Sequence, residues 1–284
     1  MKLPGAGVVL AAVAAAGELR GAERPRIVTS PNEVESAVVE VVSIHGRGGP
    51  RTRHGSAFYI GEAGDLLTCF HVLDHMPRED APRLRLADGR ERLFEVVDVD
   101  REVDLALLRS DAPERFLALA PELLPEIGQP ALFGGLTRRE GDVPPSPPLS
   151  LRRCTVVARG SRRAPRGHGA VLNIELDQIA DPGHSGGPLL AETTLAVIGV
   201  MRANLERATG GTAGAKPEGH ALAVPLMYVR PFVARNLNLP NAACVSPSDK
   251  QEAEVCARHG WRGSRCCSGQ PSTPRPTSGP ISTP

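Results

Sequence analysis

Residues 181–189 read Asp-Pro-Gly-His-Ser-Gly-Gly-Pro-Leu, a glycine-dense turn that leads into an apolar strand and holds one serine at its centre. Glycine adopts backbone angles that other residues avoid, so this turn can expose the serine and leave backbone N–H groups pointing at one spot. The N–H groups of Gly183 and Ser185 are candidates for an oxyanion hole, which stabilises negative charge on a reacting carbonyl oxygen. The pattern predicts that Ser185 is a nucleophile.

Two further polar residues are candidates for activating this serine, because a serine hydroxyl needs a base, and the base needs an orienting carboxylate. His71 follows the apolar run 66–70 and is expected at the end of a strand. Asp104 lies within the apolar run 103–108, where a buried carboxylate is costly unless it accepts hydrogen bonds. A histidine N–H is a suitable donor, so we predict a catalytic triad of His71, Asp104 and Ser185.

The composition favours an all-β fold. The 284 residues include 30 glycines and 27 prolines, and only 3% are aromatic, which suits short strands joined by turns. One helix is predicted before the tail, at 227–237. The strand-like runs are 37–44, 55–60, 65–70, 83–86, 93–99, 104–108, 131–133, 155–158, 171–176, 188–190, 195–201 and 220–224.

Four segments in one order resemble the trypsin-like serine peptidases, and most closely their bacterial HtrA-type branch. They are GSAF at 55–58, LTCFHV at 67–72, DLALL at 104–108 and GHSGGPL at 183–189. The resemblance covers roughly residues 35–235. It implies a chymotrypsin-like fold of two six-stranded antiparallel β-barrels with a C-terminal helix, the histidine and aspartate coming from the first barrel and the serine from the second.

Two departures from the family pattern narrow this expectation. Animal digestive relatives carry an aspartate directly before the serine, which pairs with a new N-terminus after zymogen cleavage, whereas this chain has His184, expected on the surface. The run 26–28, Arg-Ile-Val, therefore resembles a cleavage site only by coincidence. The chain also has no room after residue 240 for a PDZ domain, so PDZ-gated activity is not expected.

The resemblance also places a specificity pocket. The residue six before the serine lies at the base of that pocket in the trypsin branch, and here it is Ile179, not the aspartate that selects Lys or Arg. Segments containing Met201, Ala203 and His220 are expected to form the walls. Such a pocket favours apolar residues before the scissile bond, with a polar contribution from His220.

The first residues indicate export. A positive start, the apolar run 8–16 and three alanines at 14–16 predict a signal peptide within residues 1–22 and hence a secreted or periplasmic protein. A buried N-terminal helix is the alternative. The run is much shorter than the roughly 20 apolar residues that span a bilayer, so no membrane span is expected.

The cysteines allow more than one interpretation of the bonds they form. Cys69 and Cys154 either pack as separate side chains or form a disulfide bridge with each other. Two bridges of unknown pairing are expected in the tail, among Cys244, Cys256, Cys266 and Cys267, and a zinc cluster that includes His259 is the alternative.

His71 and His75 lack the glutamate and third ligand of a zinc peptidase, so no metal or other cofactor is expected. The formal charge of +1 excludes a global preference for nucleic acid, and arginines within 152–166 are interpreted as a solvated loop.

The predicted function is peptide-bond hydrolysis in protein or peptide substrates. The alternative is a catalytically inactive, protease-like secreted binding protein, attached to a partner of unknown identity through the Cys-rich tail. The predicted domains are 1–22 signal peptide, 33–125 first barrel, 126–240 second barrel, 241–270 Cys-rich tail and 271–284 disordered Pro/Ser/Thr tail.

Overall fold

The computed structural model describes residues 24–46, 49–77, 79–136, 149–163, 170–206 and 219–237. The predicted signal peptide, the Cys-rich tail with its bridges and the Pro/Ser/Thr tail lie outside these residues, so those statements stay predictions. Within the described ranges, no helix combines the length and the hydropathy needed to cross a bilayer.

The protein is an all-β protein, as predicted. The amino-terminal half begins with a short strand at Arg26–Ile27, which pairs in parallel with the strand at Arg115–Phe116 and is followed in the chain by a 3₁₀ helix at Pro31–Ala37. The strands of this half are β1 (Arg26–Ile27), β2 (Val38–Ile44), β3 (Arg51–Tyr59), β4 (Asp65–Thr68), β5 (Ala81–Arg85), β6 (Glu91–Arg92), β7 (Glu95–Asp100), β8 (Leu105–Arg109) and β9 (Arg115–Phe116). A short helix, α1 (Phe70–Asp74), follows β4.

The first sheet differs from the expected closed six-stranded barrel. It has seven strands in the order β6-β5-β2-β3-β4-β8-β7 and is curled but not closed. Its two edge strands, β6 and β7, are separated in the chain only by Leu93 and Phe94, so the edges lie within about 11 Å of each other. Leu93 is exposed while Phe94 packs against the core, and this break divides what would be one closing strand into two.

The second sheet is the predicted closed six-stranded barrel, with the strand order β10-β11-β12-β15-β14-β13. Its strands are β10 (Pro130–Leu136), β11 (Leu149–Arg163), β12 (Ala170–Leu176), β13 (Pro188–Ala191), β14 (Val197–Glu206) and β15 (Gly219–Pro225). The predicted carboxyl-terminal helix is present as α2 (Leu226–Leu237). One continuous apolar core contains buried residues of both sheets, including Leu107 and Val200.

The segment that resembles a zymogen cleavage site pairs with β9 in a separate two-stranded sheet. The N–H of Arg26 donates to the carbonyl of Glu114 at 3.1 Å, and the N–H of Val28 donates to the carbonyl of Phe116 at 2.9 Å. Val28 is buried. The interpretation that the resemblance is coincidental stays a prediction.

Cys69 and Cys154 are free thiols, so the possible bridge between them is not formed. Cys69 follows β4 of the first sheet, whereas Cys154 lies in β11 of the barrel, and both side chains pack in the core. Burial raises the pKa of Cys69 well above its ordinary value, and the nearby Asp104 acts in the same direction. Burial likewise raises the pKa of Cys154 to about 12.

These raised pKa values predict that both thiols are unreactive in the folded protein, because alkylation requires the thiolate. Iodoacetamide at pH 8 should modify neither Cys69 nor Cys154 in the native state and both in urea. Peptide mass spectrometry measures the extent of modification. Complete native labelling at the rate seen in urea would contradict the prediction.

Candidate active site

The three predicted catalytic residues come from three different local structures. His71 lies in the first turn of α1, not at the end of a strand as expected, because β4 ends at Thr68 and the chain turns into a helix after Cys69. Asp104 directly precedes β8 and has a φ of 64°, a left-handed conformation that aspartate tolerates better than most residues. Ser185 lies in the turn before β13.

His71 and Asp104 are joined by two hydrogen bonds. The backbone N–H of His71 donates to Asp104 Oδ1 at 2.9 Å, and His71 Nδ1 lies 2.8 Å from Asp104 Oδ2. A carboxylate accepts, so the second contact places the ring proton on Nδ1 and leaves Nε2 of the neutral ring as a base. Asp104 is buried while His71 is half-buried, so the base remains accessible from outside.

Arg202 is a second partner of Asp104 that the sequence analysis placed only in the pocket wall. Its Nε lies 3.3 Å from Asp104 Oδ2, and its Nη1 donates to Asn173 Oδ1 at 2.7 Å. All three side chains are buried. The only sign of this role in the sequence is that Arg202 directly follows the apolar run 195–201. Nothing in that pattern identifies Asp104 as the partner of Arg202.

Ser185 is held by its neighbours in a strongly curved turn. Gly183 and Gly186 have φ values of 102° and 81°, which L-residues rarely adopt. The Ser185 hydroxyl donates to the carbonyl oxygen of Arg202 at 3.3 Å, and no hydrogen bond to His71 is present between these two described side chains. Within the described part of the chain, the N–H groups of Gly183 and Ser185 have no protein acceptor.

Ser56 connects this turn to the first sheet. Its backbone N–H donates to the carbonyl of Ser185 at 2.8 Å, and its hydroxyl donates to the carbonyl of Gly183 at 2.7 Å. The same hydroxyl accepts the N–H of Leu136 at 2.9 Å. A Cβ on Gly186 would lie 2.2 Å from the carbonyl oxygen of Ser56, so only glycine permits this approach.

A cavity of about 130 Å³ lies beside Ser185. Of the four residues predicted for the specificity pocket, Met201 lines it, Ile179 and His220 do not, and the side chain of Ala203 lies outside the described residues. Asn204 crosses one side, since its Oδ1 accepts the N–H of Ala180 at 2.9 Å and its Nδ2 donates to the carbonyl of Ala180 at 2.8 Å. Besides Ser185, the lining residues are Ala180, Asp181, Pro182, Met201, Arg202 and Asn204.

The expectation that His184 lies on the surface is wrong. Its side chain is fully buried, and its ring packs edge-on against Phe133 with a centroid distance of 5.0 Å. The tight turn directs Ser185 toward the cavity and its neighbour into the barrel, where neutral imidazole packs as an aromatic ring.

Three ligand-type atoms lie together in the described structure, from Cys69, His71 and Asp104, all within 4.8 Å of one another. Each already has a protein partner, since the Cys69 Sγ donates to the carbonyl of Met201 at 3.1 Å and His71 binds Asp104. The raised pKa of Cys69 keeps its sulfur as a thiol, which is a poor metal ligand. The cluster is therefore explained by packing around Asp104.

The fold and these motifs define a trypsin-like peptidase. A sequence model of the trypsin-like peptidase domain matches residues 55–200, and the chain belongs to this family. Within the family, the similarity is to the HtrA and DegP branch expected from the motifs.

Three curated relatives illustrate this similarity. Serine protease HTRA1B of Danio rerio is 28% identical over 188 residues, covering 64% of this chain and 34% of the relative. Serine protease HTRA1 of Xenopus laevis is 27% identical, covering 65% and 36%. A probable periplasmic serine endoprotease DegP-like of a Marinomonas species is 32% identical, covering 50% and 28%. The chain thus spans about a third of the length of these relatives.

The bonds of Ser56 predict that a residue outside the predicted triad affects the rate of peptide hydrolysis. Ser56→Ala removes the donor to the Gly183 carbonyl, so the Gly183 peptide is less well oriented. We expect kcat on a peptide substrate to fall about 10-fold, equivalent to the loss of roughly one hydrogen bond, with little change in KM. Ser110→Ala, which removes an exposed hydroxyl bonded to the carbonyl of Leu93, is the control, and equal kcat values for the two variants would disprove the prediction.

The contact between Arg202 and Asp104 predicts a large effect on stability. Arg202→Met leaves Asn173 without its donor and Asp104 without its second partner, so the free energy of unfolding should fall by about 3 kcal/mol. Arg235→Met removes an exposed ion pair with Asp98 and should cost less than about 1 kcal/mol. Urea unfolding followed by circular dichroism measures the free energy of unfolding of both variants. Equal losses of free energy in the two variants would contradict the predicted importance of the buried pair.

Proposed function

We propose that this protein is an exported serine endopeptidase whose catalytic triad is His71, Asp104 and Ser185. The observation that supports it best is the pair of hydrogen bonds from His71 to Asp104, which fixes the tautomer that a general base requires. The second support is the turn of Ser185, where two backbone N–H groups have no acceptor within the described residues.

The proposed reaction starts when the Ser185 hydroxyl leaves the Arg202 carbonyl and turns toward His71 Nε2. Ser185 Oγ attacks the carbonyl carbon of the scissile bond as His71 takes its proton. The carbonyl oxygen becomes an oxyanion, and the N–H groups of Gly183 and Ser185 stabilise it. His71 then donates the proton to the leaving amine, which departs and leaves an acyl group on Ser185. Water hydrolyses this ester by the same steps, and no cofactor takes part.

The proposed substrates are exported proteins or peptides with a small apolar residue before the scissile bond. Met201 offers an apolar wall to the cavity beside Ser185, and the two hydrogen bonds between Asn204 and Ala180 limit the space there. The proposed location, secreted or periplasmic, is supported by the apolar run 8–16 and by the DegP-like relative, whose name describes it as a probable periplasmic endoprotease.

A second candidate function is partner binding by a catalytically inactive protease fold. The observation that favours it is the hydrogen bond of the Ser185 hydroxyl to the Arg202 carbonyl, since a nucleophile in that rotamer is not bonded to its base. Labelling by a covalent probe separates the two functions.

We predict that a fluorophosphonate probe labels the wild-type protein and that Ser185→Ala abolishes the labelling, because the probe reacts only with an activated serine. Ser36→Ala, which removes an exposed hydroxyl, should label like the wild type. In-gel fluorescence with intact-mass analysis measures the reaction. Absence of wild-type labelling would support the binding function, and labelling that survives in Ser185→Ala would refute the assigned nucleophile.

A further inference from the structure

His184 occupies a closed slot behind the turn of Ser185. Its side chain is fully buried, with the ring edge-on to Phe133 at an interplanar angle of 75°. On the other side, a Cβ on Gly135 would lie 2.7 Å from His184 Cα and 3.0 Å from its Cδ2. The imidazole is therefore packed closely against the Gly135 backbone and the Phe133 ring.

The ring is bound back to the beginning of its own turn. His184 Nδ1 lies 3.0 Å from the backbone nitrogen of Asp181 and 3.1 Å from the carbonyl oxygen of the same residue. The backbone N–H always carries its hydrogen, so a hydrogen on Nδ1 would face another donor at 3.0 Å. That carbonyl oxygen is also the acceptor of the His184 backbone N–H, at 3.2 Å. The Asp181 N–H is satisfied when Nδ1 is an unprotonated acceptor, and this places the ring proton of the neutral imidazole on Nε2.

The surroundings keep the ring neutral. His184 Nε2 is buried without a hydrogen-bond partner in the described structure, so a charged imidazolium there would be poorly solvated. Burial is the largest effect and lowers the pKa of His184, and Arg152 acts in the same direction, whereas the backbone and the charge of Asp181 and the backbone of Ser150 oppose the shift. These two charges largely neutralise each other, since Arg152 Nη1 lies 3.2 Å from Asp181 Oδ2 while its guanidinium lies over the Phe133 ring.

The bond between His184 and Asp181 spans the residue whose N–H is the proposed oxyanion donor. Gly183 lies between the two bonded residues and has a φ of 102°, so its peptide orientation depends on the closure of this small loop. Its carbonyl is held separately by Ser56. On its amide side, the loop is closed by the backbone bond from the His184 N–H to the Asp181 carbonyl and, in addition, by the ring of His184.

We propose that the neutral imidazole of His184 is a positioning residue that holds the Gly183 N–H in place for the oxyanion, and that a proton on Nδ1 releases it. This inference rests on the proposed function. We call the contact between the His184 ring and Asp181 the clamp. Because the clamp depends on the protonation of His184, it makes the oxyanion hole sensitive to acid independently of the base His71.

The direction of the pH effect follows from the lowered pKa. The unfolded chain binds the proton at the ordinary value near 6.5 and the folded protein only at a lower pH, so this part of the folding free energy is present above that ordinary value. It is lost as the pH falls through the lowered pKa. The clamp is therefore intact at neutral pH and opens in acid.

The test compares three proteins on one peptide substrate between pH 4 and pH 8. Asparagine places its Oδ1 near the position of Nδ1 and accepts a hydrogen bond without titrating, whereas leucine fills space without accepting. We expect His184→Leu to lower kcat about 100-fold with little change in KM, as for loss of an oxyanion donor. His184→Asn should restore most of that loss.

The pH profiles distinguish positioning from packing. The acidic limb of log kcat/KM should be steeper in the wild type, where His184 takes a proton, than in His184→Asn, where the residue at this position does not titrate. Equal slopes in the two proteins, or equal kcat values for His184→Leu and His184→Asn, would overturn the inference. A structural role alone would change unfolding temperatures without changing these slopes.

A measurement that does not need activity keeps the inference testable if the proposed function fails. In ¹⁵N-histidine NMR spectra of the Ser185→Ala protein, His184 should be neutral with its proton on Nε2 at pH 7.5. A proton on Nδ1 at that pH would refute the clamp. Loss of all wild-type hydrolysis with the expected NMR result would instead reject the peptidase function and leave the clamp in place.

Discussion

The hydrogen bonds of Ser56 are the contacts on which the candidate site depends most. His71 and Asp104 are positioned by segments next to strands β4 and β8 of the first sheet, whereas Ser185 lies in the turn before β13 of the barrel, so their relative position is set where the two sheets meet. Ser56 meets the turn of Ser185 with its N–H and its hydroxyl, and its own carbonyl accepts the Thr68 hydroxyl at 2.7 Å. These groups are buried, where an unmade hydrogen bond costs more than a made one contributes. The alignment of the two sheets is therefore specified by a few polar atoms within an apolar contact.

A second constraint is the compensation of one buried negative charge. Asp104 lies away from water in a conformation that L-residues seldom adopt, and both of its carboxylate oxygens are used by His71. Arg202 supplies a positive charge from the opposite sheet and is itself anchored by Asn173. Because Coulomb interactions are stronger in a less polar environment, this arginine couples the barrel electrostatically to the first sheet. The same residue lines the cavity and offers its carbonyl to Ser185.

Much of the fold could be predicted from the sequence, because strands alternate with turn residues throughout and because four motifs share the order of a known family. The closed barrel and α2 appear as expected, and His71 and Asp104 are in contact. The break at Leu93 and Phe94 could not be predicted, since both residues suit a continuous strand. The burial of His184 was missed because neighbours on a turn point in opposite directions, and the sequence does not show which direction leads into the core.

The residues that line the cavity could also not be predicted from the sequence. Asn204 approaches Ala180 only because β14 carries it across from the turn of Ser185, and this proximity has no local pattern. Arg202 poses the same difficulty, as its partners lie 98 and 29 positions away in the chain. Motifs identify residues that react, whereas the residues that orient them are found by three-dimensional contact.

The distance along the chain between Ser56 and Gly183 has a consequence for synthesis. Their hydrogen bond joins residues 127 positions apart, whereas His71 and Asp104 are separated by only 33. Contacts across long loops form late, because loop closure costs conformational entropy before the contact stabilises it. A chain emerging from the ribosome can thus pair its base with its carboxylate long before its nucleophile turn exists. Hydrolytic competence of the kind proposed therefore arises only after the second sheet has been translated and has packed against the first, so the order of the segments itself delays activity until both sheets are present.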